Sequence, residues 1–140
     1  MKRRFIIGGL LAMLAALALA GCGSSNKPTE VTVSLTDYGI DSSVTTFKVG
    51  QPYHFVVTNN GAVEHELMIV QPIDPNSGMD MSQMDAMAIG HIEEADLQSG
   101  DTATLDLTFD QAYPAGTLEF SCHLEGHYEQ GMHEDIVVEP

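Results

Sequence analysis

The chain has 140 residues and a formal charge of −15, from 20 acidic residues against 5 Lys and Arg. That length holds one domain of ordinary size. Three of the basic residues are Lys2, Arg3 and Arg4, so downstream only Lys27 and Lys48 offset the acids. A chain so negative repels nucleic acid and anionic lipid headgroups, which excludes a nucleic-acid binder. Its hydrophobic content of 44% is too high for a disordered acidic tail.

The N-terminal segment reads as an address. A basic start is followed by an apolar run, Phe5 to Leu19, and then by Ala20, Gly21 and Cys22. This is the layout of a signal peptide, and the run is short for a membrane span. The ending Leu19-Ala20-Gly21-Cys22 resembles the bacterial lipobox, which implies lipidation of Cys22 and an exported, membrane-anchored protein. Residues 1–21 are then the signal peptide and 22–29 a lipidated tether. Residues 30–140 form the domain. The membrane face is extracytoplasmic, on the cell membrane or the outer membrane. Arg3-Arg4 is poorly spaced for a twin-arginine signal. With Cys22 acylated, Cys122 is the only cysteine left, so no disulfide can form within the mature chain. A lone exported thiol is either buried and inert or protected by a metal.

Beyond the tether the pattern is that of strands. Glu30 to Thr36 alternates, with Val31, Val33 and Leu35 on one face. Thr45 to Val49, Tyr53 to Thr58, Glu64 to Val70, Thr102 to Phe109, Thr117 to Cys122 and Ile136 to Val138 follow. Asn59-Asn60-Gly61, Ser99-Gly100-Asp101 and Pro114-Ala115-Gly116 are turn signals. This spacing predicts an all-β fold, a Greek-key antiparallel β-sandwich, with a Met-rich loop or short helix between residues 79 and 98.

The segment Phe120-Ser-Cys-His-Leu-Glu-Gly-His-Tyr-Glu-Gln-Gly-Met132 carries the chemistry. Cys122, His127 and Met132 are spaced five apart, and Gly126 and Gly131 permit a tight loop. Strand parity puts Cys122 on the face of Leu118 and Phe120. A fourth donor must come from elsewhere, and His65 shares the inward parity of Leu67 and Ile69. Two imidazoles, a thiolate and a weak thioether are the donors of a blue-copper electron-transfer site. Zinc could fill the Cys-His-His set, but a thioether is a poor zinc ligand, so Met132 weighs for copper. Two bridging cysteines would be needed for a binuclear copper centre. His123 and His133 read as surface residues by parity, and His54 as a strand surface or packing residue.

The loop resembles the Phe-x-Cys-x-x-Pro-Gly-His-x-x-x-Gly-Met pattern of cupredoxins of the plastocyanin and azurin kind. The stretch Phe55 to Val70 is similar to that family's first histidine strand. The resemblance covers residues 30 to 140. It implies a cupredoxin sandwich holding one copper ion through His65, Cys122, His127 and Met132. The chain departs from the pattern at Glu125, where Pro is usual, and at His133-Glu134-Asp135, where a small residue usually follows the Met.

Met79, Met81, Met84 and Met87 cluster beside Asp80 and Asp85. They are either an auxiliary Cu(I) site or the packing face of a short helix, with Met81, Met84 and Met87 turned inward, and packing is the reading we favour. No coordination position is reserved for a substrate, so the protein is read as a carrier and not an enzyme. Electron transfer by Cu(II)/Cu(I) cycling, with a redox partner presenting a basic docking surface, is the leading function. Copper tolerance or delivery is the alternative.

Overall fold

The computed structural model describes residues 27–140 apart from residue 75. The expected signal peptide and Cys22 lie outside the described residues. Among the described residues, nine strands form two sheets. One runs in the order β2-β1-β4-β7, from Gly39–Ser42, Thr29–Thr36, Pro52–Asn59 and Thr102–Thr108. The other runs β3-β9-β8-β5-β6, from Thr46–Lys48, His133–Glu139, Tyr113–Ser121, Leu67–Val70 and Gly90–Ile92.

The alternation read from the sequence is what packs the sheets together. Val31, Val33 and Leu35 of β1 are buried, as are Tyr53, Phe55 and Val57 of β4. Phe47 of β3 fills the middle, with its ring centroid 5.0–6.1 Å from those of Tyr53, Phe55, Phe109 and Phe120. Edge-on and tilted aromatic contacts at this spacing add to the burial of the rings themselves.

The sandwich is as expected, but its sheets are mixed. β1 pairs with β4 in parallel, and β3 with β9. The cause is the path of the chain. After the β1–β2 hairpin it crosses to the other sheet for β3, then returns to lay β4 beside β1 in the same direction. The signal at Pro114-Ala115-Gly116 is not a turn between strands. It is a bulge within β8, where Tyr113 opposes Val138 and Leu118 opposes Ile136. Gly116 supplies the φ of +77° there, and Thr117 Oγ1 donates to the Pro114 carbonyl at 2.7 Å.

Residues 79–98 hold little helix. α1 covers only Met81–Asp85, opened by a capping box between Asp80 and Gln83. The chain then becomes extended again, and β6 pairs with β5 with Met68 opposite His91. Met79 and Met84 pack on Met68, Val70 and Ile73, which forms a small second core outside the main sandwich. The inward packing expected of Met81, Met84 and Met87 is therefore only partly met. Met87 is 48% exposed, because the helix stops before the period can carry it inward. Among the described residues, no helix is long and apolar enough to cross a membrane.

Candidate metal centre

His65 sits at the end of the loop between β4 and β5, and that loop is tied down from several sides. Asn59 Nδ2 donates to the carbonyls of Val63 and Leu97 at 2.7 and 2.8 Å, and its Oδ1 accepts from Gly61 N–H at 2.8 Å. Ser99 Oγ donates to the Gly61 carbonyl at 2.7 Å. Asp37 Oδ1 accepts from Ala62 N–H at 2.8 Å and from Val63 N–H at 3.4 Å. The same oxygen lies 3.6 Å from His65 Nε2. Gly61 closes this wall, since a Cβ there would stand 2.8 Å from His65 Nε2. The result is a histidine with no solvent exposure, whose Nδ1 is left to face the other donors.

Those donors come from the loop between β8 and β9. The Cys122 amide donates to the Met132 carbonyl at 3.1 Å, and the Met132 amide donates to the His127 carbonyl at 3.1 Å. Gly126 and Gly131 carry φ of +81° and +102°, which lets the loop double back on itself. His65 Nδ1 and His127 Nδ1 are 3.3 Å apart, and Cys122 Sγ is 3.4 Å from His127 Nδ1. All three donor atoms lie within 4.8 Å of one another. Met132 is fully buried beside them in the main core. The four residues predicted from the sequence are thus brought to one end of the sandwich.

The arrangement fits a metal ion. Two donors held about 2.0–2.1 Å from one ion and 120° apart sit about 3.5 Å from each other, close to the spacings found. His65 Nε2 faces the Asp37 carboxylate at 3.6 Å, which favours the proton on Nε2 and leaves Nδ1 free to ligate. Burial and the neighbouring His127 lower the His65 pKa, which keeps the ring neutral. Burial pushes the Cys122 thiol up to about 11. A metal ion must therefore displace a proton there, and a soft ion that binds thiolate and imidazole together does this well.

Other residues around the centre had no clear signal in the sequence. Tyr38, in the β1–β2 turn, adopts a left-handed φ of +68° and sets its ring edge-on to His127, with centroids 5.7 Å apart. Asp37, in the same turn, braces the His65 loop. An Asp-Tyr-Gly turn after a good strand was the signal available for both.

His123 was expected on the surface but is only 8% exposed. Its amide donates to Glu66 Oε1 at 2.8 Å, its Nε2 contacts Ser121 Oγ at 3.1 Å, and its ring stacks on Tyr128. Tyr128 stacks in turn on His133, whose side chain is half exposed, as expected for that residue. The Tyr128 hydroxyl donates to the buried Glu119 at 3.3 Å. His54 is on the strand surface and pairs with Asp106 at 2.6 Å. Met79 and Met84 line a cleft with His123, Leu124 and Tyr128, whereas Met87 lies in the open.

No protein-family model matches the chain. Over 99 residues it is 28% identical to the copper-resistant cuproprotein CopI of Rubrivivax gelatinosus, covering 70% of this chain and 58% of that one. The chain therefore spans a little over half the length of this relative. Among solved structures, auracyanin from Roseiflexus castenholzii, in its dithionite-reduced form, superposes with a TM-score of 0.61 at 19% identity. It covers 81% of this chain and 98% of its own. Auracyanin A of Chloroflexus aurantiacus, a blue copper protein, gives 0.58 at 20% identity over 81% and 100%. An azurin from Methylomonas sp. strain J gives 0.53 at 13% identity over 80% and 98%.

Proposed function

The fold is that of the cupredoxins, and we propose that this chain holds one copper ion through His65, Cys122, His127 and Met132 and works as a one-electron carrier. The observation that carries this reading is the convergence of His65 Nδ1, His127 Nδ1 and Cys122 Sγ in a buried pocket braced by Asn59, Asp37 and Gly61. Copper bound there would supply exchange between Cu(II) and Cu(I). The protein's part is to hold the donors still. A loop tied down by backbone and Asn, Asp and Ser side chains resists rearrangement when charge changes at its centre. Nothing in this role requires a bound substrate, so the protein is read as a carrier and not an enzyme.

Of the four donors only His127 is partly exposed. It borders a cleft lined by Ala62, Val63, Leu124, Glu64 and Glu125. We read this cleft as the way in for electrons, its apolar Ala62, Val63 and Leu124 and its acidic Glu64 and Glu125 suited to a redox partner with a basic surface. Such docking weakens as salt rises. Anchoring through Cys22 would place the domain on an extracytoplasmic membrane face.

A second reading, copper tolerance or delivery, is favoured by the likeness to a copper-resistant cuproprotein. One experiment separates the two. The chain is titrated with Cu(II), followed by visible and paramagnetic-resonance spectra, then reduced and reoxidised. An intense thiolate-to-copper band that bleaches and returns over repeated cycles supports the carrier. Release of Cu(I) to a chelator on reduction supports delivery. Absence of the band with Cu(II) overturns both.

A further inference from the structure

His65 and Glu66 are neighbours in sequence, but they face opposite sides of the same strand edge. Leu67 and Ile69 follow the parity of His65 into the main core, while Met68 and Val70 follow Glu66 into the small outer core beneath α1. On this outer face Glu66 is fully buried, an unusual place for a carboxylate with no Lys or Arg beside it. Its two oxygens are divided. Oε1 accepts the His123 amide at 2.8 Å, and Oε2 faces His91 Nε2 at 3.4 Å. His91 comes from β6, opposite Met68. Asp85, the last residue of α1, brings Oδ1 to 3.8 Å from the same His91 nitrogen.

An ion pair between Glu66 and protonated His91 accounts for part of this. Glu66 does hold the His91 pKa above its ordinary value. The pair leaves Asp85 unexplained. Asp85 Oδ1 is buried, lacks any hydrogen-bond donor and points at a nitrogen already shared with another carboxylate. Burial raises the Asp85 pKa, and the pull of His91 at 3.8 Å does not offset it. A single divalent cation in place of the His91 proton would satisfy all three groups at once.

We propose that Glu66 Oε2, His91 Nε2 and Asp85 Oδ1, which lie within 4.8 Å of one another, form a second metal site, distinct from the cysteine-containing one and on the other face of β5. One imidazole and two carboxylates suit a borderline divalent ion, and the intrinsic order of affinities puts Cu(II) ahead of Zn(II). No thiolate is present, so a Cu(II) ion here has only nitrogen and oxygen donors from the protein. It lacks the intense charge-transfer colour of a thiolate site. The site does not depend on the function proposed above.

The test is a Cu(II) titration of the full chain with two readouts, beside the His91→Ala and Asp85→Asn variants. Paramagnetic resonance reports copper bound by nitrogen and oxygen, and visible absorption reports copper bound by thiolate. The expected result is a second equivalent of Cu(II) with the spectrum of nitrogen and oxygen donors. Both variants should weaken that equivalent at least tenfold and leave the thiolate band unchanged. Zn(II) should compete for it. Binding that stops at one equivalent with only the thiolate spectrum overturns the proposal, and so does a nitrogen and oxygen signal of equal affinity in His91→Ala. If the thiolate band never forms but the second signal appears and is lost in both variants, this site stands and the carrier reading falls. Circular dichroism of each variant confirms the fold, and Asp85, on the short α1, is the change that least disturbs the sheet.

Discussion

Replacing Gly61 by alanine is expected to push directly on the wall behind His65. The new Cβ would stand 2.4 Å from Asp37 Oδ1, 2.8 Å from His65 Nε2 and 3.0 Å from the Asp37 amide nitrogen. The glycine is therefore required by space and not by backbone angle. The Asp37 carboxylate can swing aside, but in doing so it releases the amides of Ala62 and Val63 that it now accepts. The imidazole is enclosed and the amide nitrogen belongs to a tight turn, so neither yields easily. Overpacking of this kind costs about 1–3 kcal/mol, and a lost hydrogen bond to a charged group about 1.5–3 kcal/mol. One movement partly relieves the other, so the sum is taken as about 2–4 kcal/mol. For a domain of this size that is a fall of roughly 6–20 °C in Tm. Thermal unfolding of the metal-free chain, followed by circular dichroism, measures it. Copper affinity should fall with it, because His65 Nδ1 is displaced from its partners. A double variant with Asp37→Ala should show less than additive loss, since one of the clashing groups is gone. A Gly61→Ala chain that melts within about 2 °C of the parent and binds copper equally well refutes this account of the wall.

Three further outcomes are expected. The metal-free folded chain holds its Cys122 proton up to about pH 11, while the unfolded chain releases it near its ordinary value. This stability is fully present below about pH 8.5 and is lost as pH rises through about 11, by about 2–3 kcal/mol. Urea unfolding at several pH values should show a smaller alkaline loss in Cys122→Ala than in the parent, and parallel curves would sink the idea. Tyr128→Phe keeps the stacks on His123 and His133 but removes the donor to Glu119. Its expected cost is about 1–3 kcal/mol by denaturant titration, and a cost near zero would mean that Glu119 finds another partner. Met132→Leu preserves the volume in a buried site and should cost less than about 1.5 kcal/mol. It should still shift the midpoint potential in voltammetry, with the thiolate band retained. An unchanged potential would remove Met132 from the donor set.

The inner face of the sandwich was legible because its code is simple. Alternating apolar residues in β1 and β4 report one thing only, which side chains point at the core. His65 was placed correctly by that parity even though its segment is irregular and β5 begins only at Leu67. Two short strands, β2 and β6, were missed for the opposite reason. β2 and β6 are four and three residues long and owe their existence to their partners, β1 and β5, more than to their own sequence. The parallel pairings depend on where the chain returns after leaving a sheet. No local pattern records that.

The outer face of β5 and β8 shows where parity stops being enough. Placing His123 on that face was right, and so was its opposition to Cys122. Calling the face exposed was not. Glu66, Glu119, Ser121 and His123 all lie on it and all are buried. They are polar, so each reads as solvent-facing when taken alone. What covers them comes from distant segments. Tyr128 lies over His123 and donates to Glu119, while α1 and β6 bring Asp85 and His91 to Glu66. A sheet face built from polar residues and then roofed must satisfy its buried groups, and stacks and hydrogen bonds meet most of them, while Asp85 Oδ1 and Glu119 Oε1 are left without a partner among the described residues. Glu66 is the junction of this layer, because one oxygen holds the amide next to Cys122 and the other faces His91. A change of charge in the outer cluster is thereby one hydrogen bond away from the loop that carries the thiol. The short Met-rich segment covers this layer, with Met79 and Met84 packed on Met68, Val70 and Ile73.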